Sequence, residues 1–231
     1  IGGPNDLPLT TQDDRTANYL GGSINVGVSK KRHTLRFGTD SYGEHDSSLF
    51  GITPNDGSGR PVTEQQALWT GVTGLFVEDL FKATSWLTFN AGLRFTRYAG
   101  TISEHATSPR LGTAIKVPHL GWVLRGSYGR YYQHPPVSTV SGPLLEFAAK
   151  QGFGFKPILG ERDETWEVGL AIPVRGWVLD FDHFHNGAAN VVDHQVLGNS
   201  NLLFPVSIPR GRIRGWESTR SEEHTSELQT H

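Results

Sequence analysis

The sequence predicts an all-β protein, a partial antiparallel transmembrane β-barrel of about nine strands with open edges. Three observations carry the prediction. Apolar and polar residues alternate with a period of two in several segments, which places them on opposite faces of a sheet. The connections between those segments alternate between short and long. Tryptophans stand directly after three of the short connections.

Four hairpins and a ninth strand are expected. The first joins Gly22–Ser29 to His33–Tyr42, with Ile24, Val26 and Val28 as one apolar row and Leu35 and Phe37 continuing it. The second starts near Gln66 and runs to Tyr98. Its second strand puts Trp86, Thr88, Asn90, Gly92, Arg94 and Thr96 on one face and Leu87, Phe89, Ala91, Leu93 and Phe95 on the other. A membrane barrel repeats this pattern, apolar toward lipid and polar toward a wet lumen. The third hairpin joins Ser108–Lys116 to Trp122–Tyr132. The fourth joins Asp163–Ile172 to Trp177–Val192, with Trp166, Val168, Leu170 and Ile172 facing Trp177, Leu179 and Phe181. The ninth strand starts near Arg210.

The expected short connections are Lys30–Arg32, Lys82–Ser85, Val117–Gly121 and Pro173–Gly176. The long ones are Gly43–Gln65, Ala99–Thr107, Gln133–Arg162 and Asp193–Pro209. Outer-membrane barrels sort short turns to the periplasmic rim and long loops to the outside, and a soluble meander has no reason to do so. Trp86, Trp122 and Trp177 would then mark one membrane interface, and Tyr98, Tyr131 and Tyr132 the other. Two other readings share part of the pattern. A passive porin-like or structural outer-membrane barrel has the same alternation and girdles. A secreted, soluble carbohydrate-binding β-sandwich would pack its apolar rows against each other across two sheets.

Composition excludes several classes. The 231 residues suffice for one β domain. No cysteine is present, which excludes a disulfide scaffold and thiolate zinc sites. A net charge of −2 leaves no polybasic footprint for nucleic acid. A mean hydropathy of −0.37 and the lack of a long apolar run exclude a helical membrane span but not a barrel. There is no G-x-S-x-G, H-E-x-x-H or phosphate-binding P-loop, so no catalytic residue, cofactor or metal is expected and the chain reads as a non-enzyme.

Methionine is absent, including at position 1, and Ile1–Thr11 has neither the basic region nor the apolar stretch of a signal peptide. The expectation is a piece of a longer protein. The tail Arg220–Gln229 reads R-S-E-E-H-T-S-E-L-Q and resembles the in-frame translation of a sequencing-adapter oligonucleotide, from which Thr230 and His231 depart. The expected division is a partial barrel over residues 1–219 and a non-native tail over 220–231.

Several stretches together resemble the β-barrel of TonB-dependent outer-membrane receptors, the large kind with a carboxypeptidase-regulatory-like N-terminal domain. They are F-V-E-D at Phe76–Asp79, W-L-T-F-N-A-G-L-R-F at Trp86–Phe95, S-P-R-L-G at Ser108–Gly112, and L-R-G-S-Y-G-R-Y-Y-Q-H-P-P at Leu124–Pro136. E-T-W-E-V-G-L at Glu164–Leu170 and R-I-R-G-W-E at Arg212–Glu217 complete the series. The first sixty residues match less clearly. The resemblance implies a parent barrel of about twenty-two strands around a plug. It also implies outer-membrane lipid as surroundings and the TonB complex as a partner, reached through the plug region that this chain lacks. The substrate would be a small molecule or glycan from the iron-chelate, cobalamin or glycan classes.

Candidate sites are few. Arg94, Arg125 and Glu167 project toward the expected lumen, either to line a substrate path or contact a plug, or as a plain lumenal hydrogen-bond ladder. His183 and His185 share a face and could hold a metal, but the reading preferred is interfacial histidines, with Asp180 and Asp182 on the opposite face. Asp56, Gly57 and Gly59 lie in a polar loop that fits calcium-loop spacing poorly. Leu144–Gly152 reads as a short helix or lid in a long outer loop.

Overall fold

The computed structural model describes residues 9–57, 59–140, 142–150, 158–196 and 203–222. One sheet of nine antiparallel strands runs in chain order, each strand hydrogen-bonded to its sequence neighbours. The strands are β1 (Leu9–Lys30), β2 (His33–Pro54), β3 (Val62–Lys82), β4 (Leu87–Ala99), β5 (Ser103–Lys116), β6 (Val123–Gln133), β7 (Glu161–Val174), β8 (Trp177–Val196) and β9 (Leu203–Glu222). The sheet is not closed, since β1 and β9 each have a single neighbour. Two short helices, α1 (Val137–Val140) and α2 (Pro143–Lys150), lie between β6 and β7.

The short turns follow from local geometry. At residues 175–176 both Arg175 and Gly176 have positive φ, 49° and 83°. That is the primed hairpin geometry whose twist matches the flanking strands. Lys31 takes the same left-handed region, φ 54°, in the tight turn between β1 and β2. Trp86 and Trp122 stand just before β4 and β6, and Trp177 opens β8. All three therefore sit at the short-turn rim.

The distribution of exposure is the reverse of a water-soluble sheet. Along β4, Phe89, Leu93 and Phe95 are 43%, 47% and 40% exposed, while Thr96 and Tyr98 on the other face are 6% and 0%. The apolar row crosses strands in register through Val26, Phe37, Val77 and Leu93. Polar residues occupy the crowded concave face, and apolar ones stand on the outside. That is the arrangement of a transmembrane barrel wall.

Three expectations are corrected. The strands are far longer than the alternation suggested: β1 and β2 have 22 residues each, where about 9–11 tilted residues span a bilayer. Their upper parts are mostly polar, with Leu20, Leu49, Phe50 and Ile52 as scattered exceptions, so no continuous apolar row reveals them. They are held instead by cross-strand contacts such as Arg15–Asp46 at 2.6 Å and Tyr19 donating to Glu44 at 3.0 Å.

Consequently the long connections shrink. Gly43–Gln65 is strand except for residues 55–61, and Ala99–Thr107 reduces to residues 100–102, shorter than the 117–122 connection on the opposite rim. The expected strict sorting of loop lengths does not hold, and 134–160 is the one long connection that remains. β9 begins at Leu203 rather than near Arg210 and continues through Glu222, pairing residues 220–222 with Trp177–Leu179.

The third correction concerns Tyr98, Tyr131 and Tyr132. They do not form an outer girdle. Tyr98 shares the concave face with Arg94 and Thr96 and packs inside the mouth, where its ring stacks on His134 at 5.3 Å. The buried core sits there too, with Phe50 of β2 against Leu144 of α2 and Ile52 at its margin.

Candidate functional site: the concave wall and its mouth

Two ion pairs on the concave wall use one construction. Arg125 on β6, Gly169 on β7 and Asp182 on β8 are in register on adjacent strands. Lacking a side chain, Gly169 lets the guanidinium cross the middle strand, donate to Asp182 at 2.8 Å and lie 2.9 Å from the Asp180 carboxylate as an ion pair. A Cβ there would stand 2.0 Å from Asp182 Oδ1. Arg94 on β4 likewise crosses over Gly74 on β3 and donates from Nη2 to both Asp40 oxygens on β2 at 2.7 Å. These are charge-assisted contacts in a wet, half-exposed setting, and they tie three strands together.

Among the sequence-predicted candidates, Arg125 and Glu167 come together. Both line a hollow of about 280 Å³ on the concave wall, beside Thr88, Asn90 and Ser127. Arg125 is held by its two aspartates. The Glu167 carboxylate has no ion-pair partner among the described residues, which leaves it the open charge of the hollow. Arg94 belongs to the separate Asp40 pair and does not reach this hollow.

The mouth is built where β5 and β6 part. Their pairing runs only from Arg110↔Gly129 to Lys116↔Val123. It ends beside Pro109, which has no N–H to donate to a neighbouring strand. Side chains fill the gap. The Arg110 guanidinium lies 4.7 Å from the Tyr131 ring centre. Glu104 accepts from the Tyr132 hydroxyl at 3.2 Å and the Gly160 N–H at 2.7 Å, with Arg162 at 3.5 Å.

The segment after β6 then turns inward over the wall. His134 Nε2 meets the Tyr42 hydroxyl at 2.5 Å. α2 reaches β2 and β3, where Gln66 donates to Glu146 and Lys150 pairs with Glu64 at 2.8 Å. The Glu64 carboxylate raises the Lys150 ammonium above its ordinary value. The expected helix at Leu144–Gly152 is thus α2, folded into the mouth; residues 151–152 lie outside the described residues.

The histidine pair faces outward, as the alternation implied. His183 lies between Trp166 and Trp216, with centroid distances of 5.2 and 4.3 Å, and His185 stacks on Trp166 at 5.6 Å. No group of three metal-ligating side chains forms among the described residues, including the loop that carries Asp56, Gly57 and Gly59. Sequence reasoning missed Asp40, Glu104 and His134. Their partners are 54, 56 and 92 residues away in the chain, and no local pattern marks such pairs.

An apolar exterior, a charged concave interior and consecutive antiparallel strands define a section of transmembrane β-barrel wall. The chain belongs to the TonB dependent receptor-like β-barrel family, whose model matches residues 2–222. No curated protein matches it by sequence.

Solved structures share the fold. The copper transporter OprC aligns with a TM-score of 0.69 at 15% identity, over 95% of this chain and 36% of that one. The ferric yersiniabactin uptake receptor FyuA from Yersinia pestis gives 0.66 at 11% identity, over 94% and 34%. The ferripyoverdine receptor of the outer membrane of Pseudomonas aeruginosa gives 0.62 at 15% identity, over 94% and 31%. The chain therefore spans about a third of each of these proteins. The family and these neighbours are receptors and transporters.

Proposed function

We propose that this chain is part of the wall of an outer-membrane receptor that takes up a scarce substrate in a Gram-negative bacterium and is itself no enzyme. The substrate belongs to the iron-chelate, cobalamin or glycan classes. Uptake is energised by the TonB complex through a plug region in the parent protein. The observation that carries the reading is the wall itself, apolar outside and charged inside, with nine strands in a sheet that is not closed. An edge left unpaired in lipid is costly, because each unsatisfied backbone group there costs several kcal/mol, so further strands complete the barrel.

In this reading Glu167 and Arg125 line the substrate path or meet the plug, while Arg94 holds the wall together with Asp40. Helices α1 and α2, between β6 and β7, cover the path from outside. Residues 220–231 are derived from a sequencing adapter, and the first three of them extend β9 here.

The test is to read the source DNA outward past both ends. A plug and TonB box upstream, with further strands in place of residues 220–231 downstream, are the expected result. A start codon and signal sequence directly before Ile1, with a native stop after His231, would overturn the transporter reading. A barrel with no plug upstream would make it a passive porin.

A further inference from the structure

The outward face of β7–β9 changes character along its height. Near the short-turn rim β7 and β8 are apolar, with Leu170, Phe181 and Trp177, while β9 places Ser218 and Arg220 beside them. The face then reaches the stacked belt of Trp166, His183, His185 and Trp216. From Trp177 to His185 is eight residues along β8. At about 3.3 Å each and a tilt of about 40°, this rises roughly 20 Å, close to the height of a barrel's apolar band. The belt therefore marks the upper edge of that band, where amphipathic rings settle.

Arg214 stands level with His185 at the top of the belt and Arg212 and Arg210 above it, alternating on the same outward face of β9 as Trp216. Among the described residues none of the three guanidiniums has a partner. Arg210 and Arg212, with Arg162 of β7, border an outward groove of about 570 Å³ whose floor includes Gly187 and Gly211. The one carboxylate in the groove, Glu164, is already paired with Arg130 at 3.0 Å. Two unpaired arginines, Arg210 and Arg212, at the border of a groove with a small-residue floor, and a third, Arg214, beside it, form a cationic, anion-binding patch at headgroup height.

We infer that this face binds a phosphorylated lipid headgroup of the outer leaflet. The arginine forks hold phosphate oxygens while the acyl chains lie down the Trp166–Trp216 belt. The inference rests on the chain standing in an outer membrane. Failure to enter micelles or bilayers at all would count against that reading, whereas loss of phosphate selectivity in an inserted protein counts against this site.

The experiment titrates the complete barrel that carries this chain, in detergent micelles, with lipid A and with the same lipid stripped of its phosphates, read by native mass spectrometry. Intact lipid A should bind and the stripped lipid should bind far more weakly. The triple variant R210Q/R212Q/R214Q should lose about a hundredfold in affinity, as expected for three arginines near a charged headgroup. K82Q, one charge removed at the opposite rim, should bind as the parent does. Equal binding of both lipids would overturn the proposal, since only the apolar belt would then matter. Inorganic phosphate competing at the same concentration as lipid A would overturn the lipid assignment in favour of free phosphate. The two-lipid comparison needs no variant, so it decides the matter even if the triple variant does not fold.

Discussion

Leu93→Arg separates a lipid-facing wall from any soluble sheet. Leu93 stands in the exterior apolar row, in register with Val77 and Pro109, and is 47% exposed. The row on β4 runs over eight residue steps from Leu87 to Phe95, or a rise of about 20 Å at a typical strand tilt. Leu93 lies about 5 Å from its upper limit and 15 Å from its lower one by the same spacing. A charge on a barrel's lipid face costs about 2–4 kcal/mol at the midplane and about 0–1 at the interfaces, so Leu93→Arg, between the two, should cost about 1–2 kcal/mol.

The neighbouring concave position is the control. Asn90 lines the hollow that holds Glu167, so Asn90→Arg enters a wet site beside an open carboxylate and should be neutral within about 0.5 kcal/mol. Urea unfolding in lipid vesicles measures both variants. A neutral Leu93→Arg together with a costly Asn90→Arg would mean that the faces are reversed. Equal small effects would mean that no lipid contacts this strand.

Three further predictions follow from the wall and the mouth. Gly169→Val should displace the Arg125–Asp182 bridge, because a Cβ there lies 2.0 Å from Asp182 Oδ1. The cost should be about 1–3 kcal/mol of overpacking, and in a double-mutant cycle Asp182→Asn should add almost nothing on top of it. His134→Ala removes the stack on Tyr98 and the Tyr42 hydrogen bond, worth about 1–3 kcal/mol together. It should open the segment to trypsin at Lys150, and unchanged cleavage would show that the segment is held elsewhere. The Lys150–Glu64 contact raises the ammonium's pKa, so its contribution is fully present below the ordinary lysine value and is lost as pH rises through the raised one. Spin labels at Ala149 and Thr63 should therefore separate in strongly alkaline buffer and stay close at neutral pH.

Alternation alone fixed the outward row of β4, the lumenal side of Arg94, Arg125 and Glu167, and the outward pairing of His183 with His185. A period of two leaves no freedom once one residue is assigned. The same parity puts Tyr98 on Arg94's face, so its inward position was already implied, although its place near a strand end suggested a girdle.

What only the tertiary structure decided depends on strands far apart in sequence. The mostly polar upper halves of β1 and β2 carry no continuous apolar row, so their length shows only in cross-strand pairing. The glycine between Arg125 and Asp182 reads locally as a weak strand position and becomes, in the sheet, the opening through which the ion pair forms. The inward fold of α2 rests on Glu64, Gln66 and Phe50, contributed by β2 and β3. A sequence encodes the face of each residue through local geometry, but which charges meet across that face depends on register between strands, and that is a property of the whole sheet.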